Sequence, residues 1–298
     1  GSVRIAAIRV SFLEDDSPGT TGNGSFLLNV PIDTCGRYTI DPVPHDRSYF
    51  ESQLVAVNNY FRSVSYGKFG LDLDQSIVFP LSDENSYVLP KTMDYYHPYN
   101  QTEIHDQRVT ELFRDALETA YNDDEIDFSN FDHVVIFHAG IGQDFSLPFL
   151  DPTPEDIPST FIDGDMLQEF VGGMLQFGTV TINQGIILPE TQNHLFYQES
   201  ENIFLDAEEP CDYQYGLTGT FALMLGFAIG LPPLWDTNSG QSGIGIFGLM
   251  DQGSNNGRGL IPAPPDAWSR KFAGWESPLI TMPSKIINLP SRSENNLV

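Results

Sequence analysis

Apolar and polar positions along this chain alternate between a strand period and a helix period. Residues 3–12 (VRIAAIRVSF) are β-branched and apolar, and the turn-rich EDDSPGTTGNG follows, so a strand and then a loop are predicted. Across 46–64, Tyr49, Phe50, Leu54, Val57, Tyr60, Phe61 and Val64 fall on one stripe at helical spacing, with Asp46 placed to cap and Gly67 just beyond the end. Residues 71–79 read as a strand in which Leu71 and Leu73 alternate with Asp72 and Asp74. A second amphipathic helix is predicted over 102–121, with Val109, Leu112, Phe113, Ala116, Leu117 and Ala120 facing inward. The run HVVIFH at 133–138 has almost no polar interruption, the pattern of a central strand covered on both faces.

Further along, 179–188 suggests a strand pair with Gly185 between its members. Residues 218–230 are hydrophobic nearly all round, as expected of a buried central helix. After Leu231 the chain is rich in glycine and proline, with one helix predicted over 266–273. Strands and helices interleave through the first two thirds and an irregular region follows, which predicts an α/β (α+β) fold. No repeat and no linker divides the chain, so 1–298 reads as a single domain with lobes at 3–230 and 231–298.

Composition narrows the functional classes. At 40% hydrophobic and 12% aromatic residues, the chain is too apolar for intrinsic disorder. Forty-one acidic against 14 basic residues give a net charge of −27. A field of that sign argues against nucleic-acid binding, which works by neutralising phosphates, and against adhesion to anionic membranes. The longest apolar run, 221–235, is interrupted by glycines and prolines and is too short to span a bilayer. Gly1-Ser2 reads as a cloning scar, so the expectation is a native leader upstream. Cys35 and Cys211 permit one disulfide or two separate thiols, and spacing does not choose between them.

Candidate chemistry is sparse. His138, at the end of a strand and before AGIG, takes a cleft-edge position, either as a reactive group or as a hydrogen-bonded structural histidine. His133 and His138 would point to opposite faces of a strand. His45-Asp46 reads as a helix start. His97 and His105 fall in a tyrosine-rich loop and its following helix, and no pair of histidines has metal-ligand spacing. No GxSxG elbow is present. Calcium, which accepts six to eight oxygens in loose geometry, is the one metal the acidic loops leave open, with Asp236 in DTNS the leading ligand.

One stretch carries more specific information. Residues 218–236 read TGTFALMLGFAIGLPPLWD, and FGLMD follows at 247–251. This resembles the HExxHxxGxxH/D helix and Met-turn of metzincin peptidases with its ligands replaced. Gly226, Gly230, the Leu231-Pro232 break and Met250 match the scaffold. Leu223 and Phe227 stand at the histidine positions, Met224 at the general base and Pro233 at the third ligand.

Other blocks extend the resemblance in order along the chain. PHDRSYFE (44–51), FDHVVIFHAGIGQD (131–144), PEDIPSTF (154–161), GIILPET (185–191), SGIGIFGLMDQGSNNG (242–257) and PAPPDAWSRKFAGWE (262–276) are similar to blocks of secreted bacterial peptidases of the immune inhibitor A type.

The resemblance implies a metzincin-like zincin fold: a mixed twisted sheet, a buried central helix and an irregular C-terminal lobe holding the Met-turn. It also implies a secreted or cell-surface location. Zinc is not expected, because it needs nitrogen, sulfur or oxygen donors and leucine, phenylalanine and proline provide none. The apolar replacements are of core-filling size, so Leu223, Met224 and Phe227 are expected to be buried against the core. The resulting expectation is a pseudopeptidase, acting as a structural part or binding a peptide or protein in the former substrate cleft. The alternative is an active hydrolase of the same family with a non-standard site around His138. Oligomeric state is not legible.

Overall fold

A computed structural model describes residues 1–29, 40–124, 126–145, 151–196 and 211–278, with Met282 and Ile286. The protein is a mixed α/β structure with one main sheet and several two-stranded sheets. The main sheet is built from β1 (Ile5–Ser11), β2 (Ile77–Phe79), β3 (Tyr87–Val88), β4 (His133–Ile141), β5 (Thr160–Ile162) and β6 (Gly185–Thr191). Its order is β2-β1-β4-β6-β5, with β3 extending the β2 edge along the end of β1. All pairings are parallel except β6–β5, which makes β5 an antiparallel edge. Ile136 of β4 is flanked by Ile8 and Ile187, which places β4 at the centre. The uninterrupted apolar run therefore has its predicted cause: both faces of β4 are covered.

The long helices are α1 (Arg47–Val64), α2 (His105–Asp124) and α3 (Leu217–Ala228). Asp46 caps α1, its Oδ1 accepting the Tyr49 N–H at 3.0 Å. All six inner-face residues predicted for α2 are buried. Phe137 of β4 projects toward α1 and α3, with its ring 4.7 Å from Phe50 and 5.7 Å from Phe221. His138, next in sequence, projects to the opposite side, where its ring meets Phe12 at 6.0 Å and Phe12 meets Tyr96. The short helix α4 (Ala267–Phe272) matches the last predicted element and is capped by Asp266.

Two predicted strands are revised. The 71–79 strand breaks after Leu71, because Asp72 Oδ1 accepts the Gln75 N–H and its carbonyl accepts the Ser76 N–H and hydroxyl, turning the chain before β2. Within 179–188, Val180–Ile182 folds back on Leu175–Phe177 and Gly185 opens β6 instead of separating a pair. A Cβ on Gly185 would lie 2.3 Å from the Phe113 ring, so the close approach of α2 requires glycine at the start of β6.

Among the described residues no helix is long and apolar enough to cross a membrane. Cys35 lies outside the described residues.

Candidate functional site

Helix α3 is placed by its glycines and its ends. Its N-terminal Leu217 N–H donates to Asp41 Oδ2 at 2.9 Å, and the Gly219 N–H donates to Gly259 O at 2.8 Å. A Cβ on Gly219 would stand 2.0 Å from Ser254 O. Two turns later, a Cβ on Gly226 would stand 2.6 Å from Met250 Sδ. The two glycines let the 248–259 segment lie directly against the helix backbone. At the C-terminus Gly230 adopts φ +86°, donating to Phe227 O while the Leu231 N–H donates to Gly226 O. That paired bonding is the Schellman cap, in which the left-handed residue is normally glycine.

Met250 is fully buried beneath α3, and its carbonyl accepts the Leu234 N–H at 2.8 Å. Next to it, Asp251 organises the preceding loop: Oδ2 accepts the N–H groups of Gly243, Ile244 and Gly245 and the Ser242 hydroxyl, and Oδ1 accepts the Gln252 N–H. Burial alone would raise the Asp251 pKa. The donors from Gly245, Ile244, Ser242 and Gln252 outweigh it and hold the carboxyl below its ordinary value.

Between α3 and this segment lies a cavity of about 400 Å³, lined by Asp144, Phe145, Thr220, Leu223, Met224 and Trp235 on one side of Asp251, Ser254 and Asn255. The size is that of a small-ligand site. Leu223 and Met224 pack against the core yet remain half-buried, as does Phe227. The expectation that they are fully buried is therefore corrected. The core face of α3 is taken by Leu217, Phe221, Ala222 and Leu225, leaving the 223/224/227 face to look outward over the cavity rim. Phe227 leans on Phe161 of the β5 edge and on Trp235, at 5.9 Å and 5.5 Å between ring centroids.

The donor set settles what this helix face can hold. Leu223 and Phe227 present carbon only, Met224 only a thioether, and Pro233 is an exposed ring. These residues do not fit zinc. Among the described residues there is no group of three or more His, Cys, Asp or Glu side chains able to hold a metal ion. Asp236 is exposed, and its Oδ1 accepts the N–H groups of Asn238 and Ser239 in a loop turn.

His138 is not at the cleft edge. It is 0% exposed, within β4, with Nδ1 2.8 Å from Ala139 O and Nε2 lacking a partner of good hydrogen-bond geometry. Burial lowers its pKa to about 4, a shift its contacts with the Ala139 and Ile157 backbone only partly oppose. A neutral imidazole sealed in the sheet cannot reach a substrate. The sequence-based expectation placed it at the strand end, but β4 runs on to Ile141.

Sequence reasoning did not bring together two groupings, one buried and one half-buried. His45 is fully buried with Nδ1 2.6 Å from Glu190 Oε2, and Glu190 also accepts the N–H groups of Leu27 and Gly140. His97 and His105 bring their rings to 4.0 Å, eight residues apart in sequence and across a helix start. Asp144 and Trp235, which line the cavity, fall inside the 131–144 block and the 218–236 stretch, where sequence reasoning gave neither a role. Asp251 was legible only as the last letter of the FGLMD block.

No family model matches the chain, and no curated protein matches it. The resemblance to immune inhibitor A peptidases stands on the ordered blocks of sequence alone.

Proposed function

We propose that this chain is a metzincin-like scaffold of the immune inhibitor A type that has lost its catalytic zinc site, and that it acts outside the cell as a non-catalytic module. It binds a peptide or protein segment in the cleft beside α3. The observation that carries this reading is an open cavity of about 400 Å³ bordered by Leu223 and Met224, on a helix face that with Phe227 offers no oxygen or nitrogen donor. A plugged groove would favour a purely structural part. An open one with an apolar floor and a polar rim suits an extended ligand. Support for the scaffold comes from Gly226 over Met250 and Gly230 in its left-handed turn, both at positions the resemblance assigns.

The test combines metal analysis of protein incubated with zinc, turnover of a general peptide library, and binding of the same library without turnover. The expected result is no stoichiometric zinc, no hydrolysis and saturable binding. Stoichiometric zinc held by the 223–227 region, or proteolysis abolished by a chelator, overturns the proposal. An absence of any peptide binding also counts against it.

A further inference from the structure

Resting on that reading, the lining of the cavity narrows the ligand class. Two carboxylates, Asp144 and Asp251, contribute to it, and no Lys, Arg or His is among its described lining residues. The carboxylates differ in what they have left to give. Asp251 is occupied by five donors from its own loop and serves as the structural anchor of that wall. Asp144 is held by neutral donors: the Ser159 N–H at 3.0 Å, the Ser159 hydroxyl at 2.8 Å and the Gln192 amide. It has hydrogen bonds but no countercharge among them.

The aromatic walls are set in place by other rings. Phe145 stacks on Tyr215 at 4.5 Å and 13°, and Trp235 meets Phe227 edge-on at 5.5 Å and 77°. Leu223 and Met224 supply an apolar floor. An aromatic wall, an apolar floor and a carboxylate whose hydrogen-bond donors, among the described residues, are all neutral are the elements that recognise a cation on an apolar stem. The stem lies along aliphatic surface, the head takes a charge-assisted hydrogen bond, and the ring face adds a cation–π attraction.

We propose that the cleft binds a lysine or arginine side chain of an extended peptide, with Asp144 as the charge partner of its head and Trp235 and Phe145 as its aromatic walls. The net charge of −27 draws such a ligand toward the protein before contact. Burial raises the Asp144 pKa, and the Gln192 and Ser159 hydrogen bonds only partly restore it. A bound cation favours the ionised form and relieves that cost. A neutral apolar side chain would use the floor and leave the carboxylate without a countercharge.

The test measures binding of short blocked alanine peptides carrying lysine, arginine, norleucine or glutamate at the centre, by fluorescence anisotropy with the full chain. The expected result is that the lysine and arginine peptides bind about tenfold tighter than norleucine at low salt, the size of one partly desolvated cation–π contact with a charged hydrogen bond. High salt should shrink that advantage. Asp144→Asn should reduce it to near unity while norleucine binding persists. Trp235→Leu, a change at a half-buried loop residue, should weaken the cationic peptides without touching the Asp144 network, and covers the case in which Asp144→Asn does not fold. Norleucine binding as tightly as lysine overturns the cationic assignment and leaves the peptide-binding reading standing. Failure of every peptide, and of a mixed library, overturns both.

Discussion

Met250 lies directly beneath Gly226, so closely that a Cβ on the glycine would stand 2.6 Å from the methionine sulfur. The helix and the Met250 segment meet through a missing side chain. Two turns earlier in the helix, Gly219 does the same against the backbone carbonyl of Ser254 at 2.0 Å.

These two contacts differ in what can yield. Gly226→Ala pushes on a flexible thioether and should cost about 1 kcal/mol, the low end for overpacking. Gly219→Ala pushes on backbone and should cost about 3 kcal/mol or more, since the 254–259 segment must move. Urea denaturation midpoints of the two variants check the order. Equal midpoints would mean that the loop backbone yields as readily as the methionine.

The scaffold proposal makes a constructive prediction. Leu223→His, Met224→Glu, Phe227→His and Pro233→Asp together should confer zinc binding near one equivalent, because residues 223 and 227 are one turn apart on the same side of the helix. Metal content after dialysis and a zinc-dependent rise in melting temperature are the readouts. No uptake by a folded variant would show that position 233, which is exposed, cannot converge on the helix face.

Buried titratable groups give pH dependences of opposite sign. Burial lowers His138 to about 4, and burial with the neighbouring His105 lowers His97 to about 4. Each is charged in the unfolded chain below about 6.5, so each costs stability as pH falls from 6.5 toward 4. Burial raises Asp156 to about 7, against the hydrogen bonds from Thr21. Its contribution is fully present below about 4 and is lost as pH rises through 7. Asp156→Asn should therefore make acid destabilisation between pH 6.5 and 4 steeper than in the parent protein, by up to about 3 kcal/mol across the window. Unfolding free energies measured by urea at four pH values decide it, and parallel curves would refute the assignment.

His45 and Glu190 form a fully buried pair that joins the start of α1 to β6. His45→Ala strands a carboxylate in the interior and should destabilise by about 3–5 kcal/mol. Replacing both, as His45→Phe with Glu190→Leu, removes the stranded charge but leaves the Leu27 and Gly140 N–H groups without their acceptor. It should therefore recover part of the loss and no more. A double-mutant cycle on thermal unfolding measures the difference.

How legible each feature was in the sequence depended on how local its cause is. The α1 and α2 stripes and the Asp46 cap depend on residues three and four apart, so local pattern found them. The covered centre of the sheet was readable from β4 because burial on both faces leaves an uninterrupted apolar run. The break after Leu71 escaped because Asp72, read as the polar half of an alternation, spends its oxygens on a turn. His138 was misplaced by a strand end that depends on pairing with β6.

The sequence alone determined the long helices and the central strand, the helix-ending Gly230 and the lack of zinc donors at 223, 224, 227 and 233, because each depends on the chemistry of a residue or its near neighbours. Only the tertiary structure decided that Leu223 and Met224 border an open cavity and do not fill a core. It alone brought Asp144, Phe145 and Trp235 to that cavity, and it alone sealed His138 in the sheet. Those outcomes depend on which face of a helix meets which neighbour across long sequence separations, and nearly uniform apolarity around α3 carries no mark of the face left open.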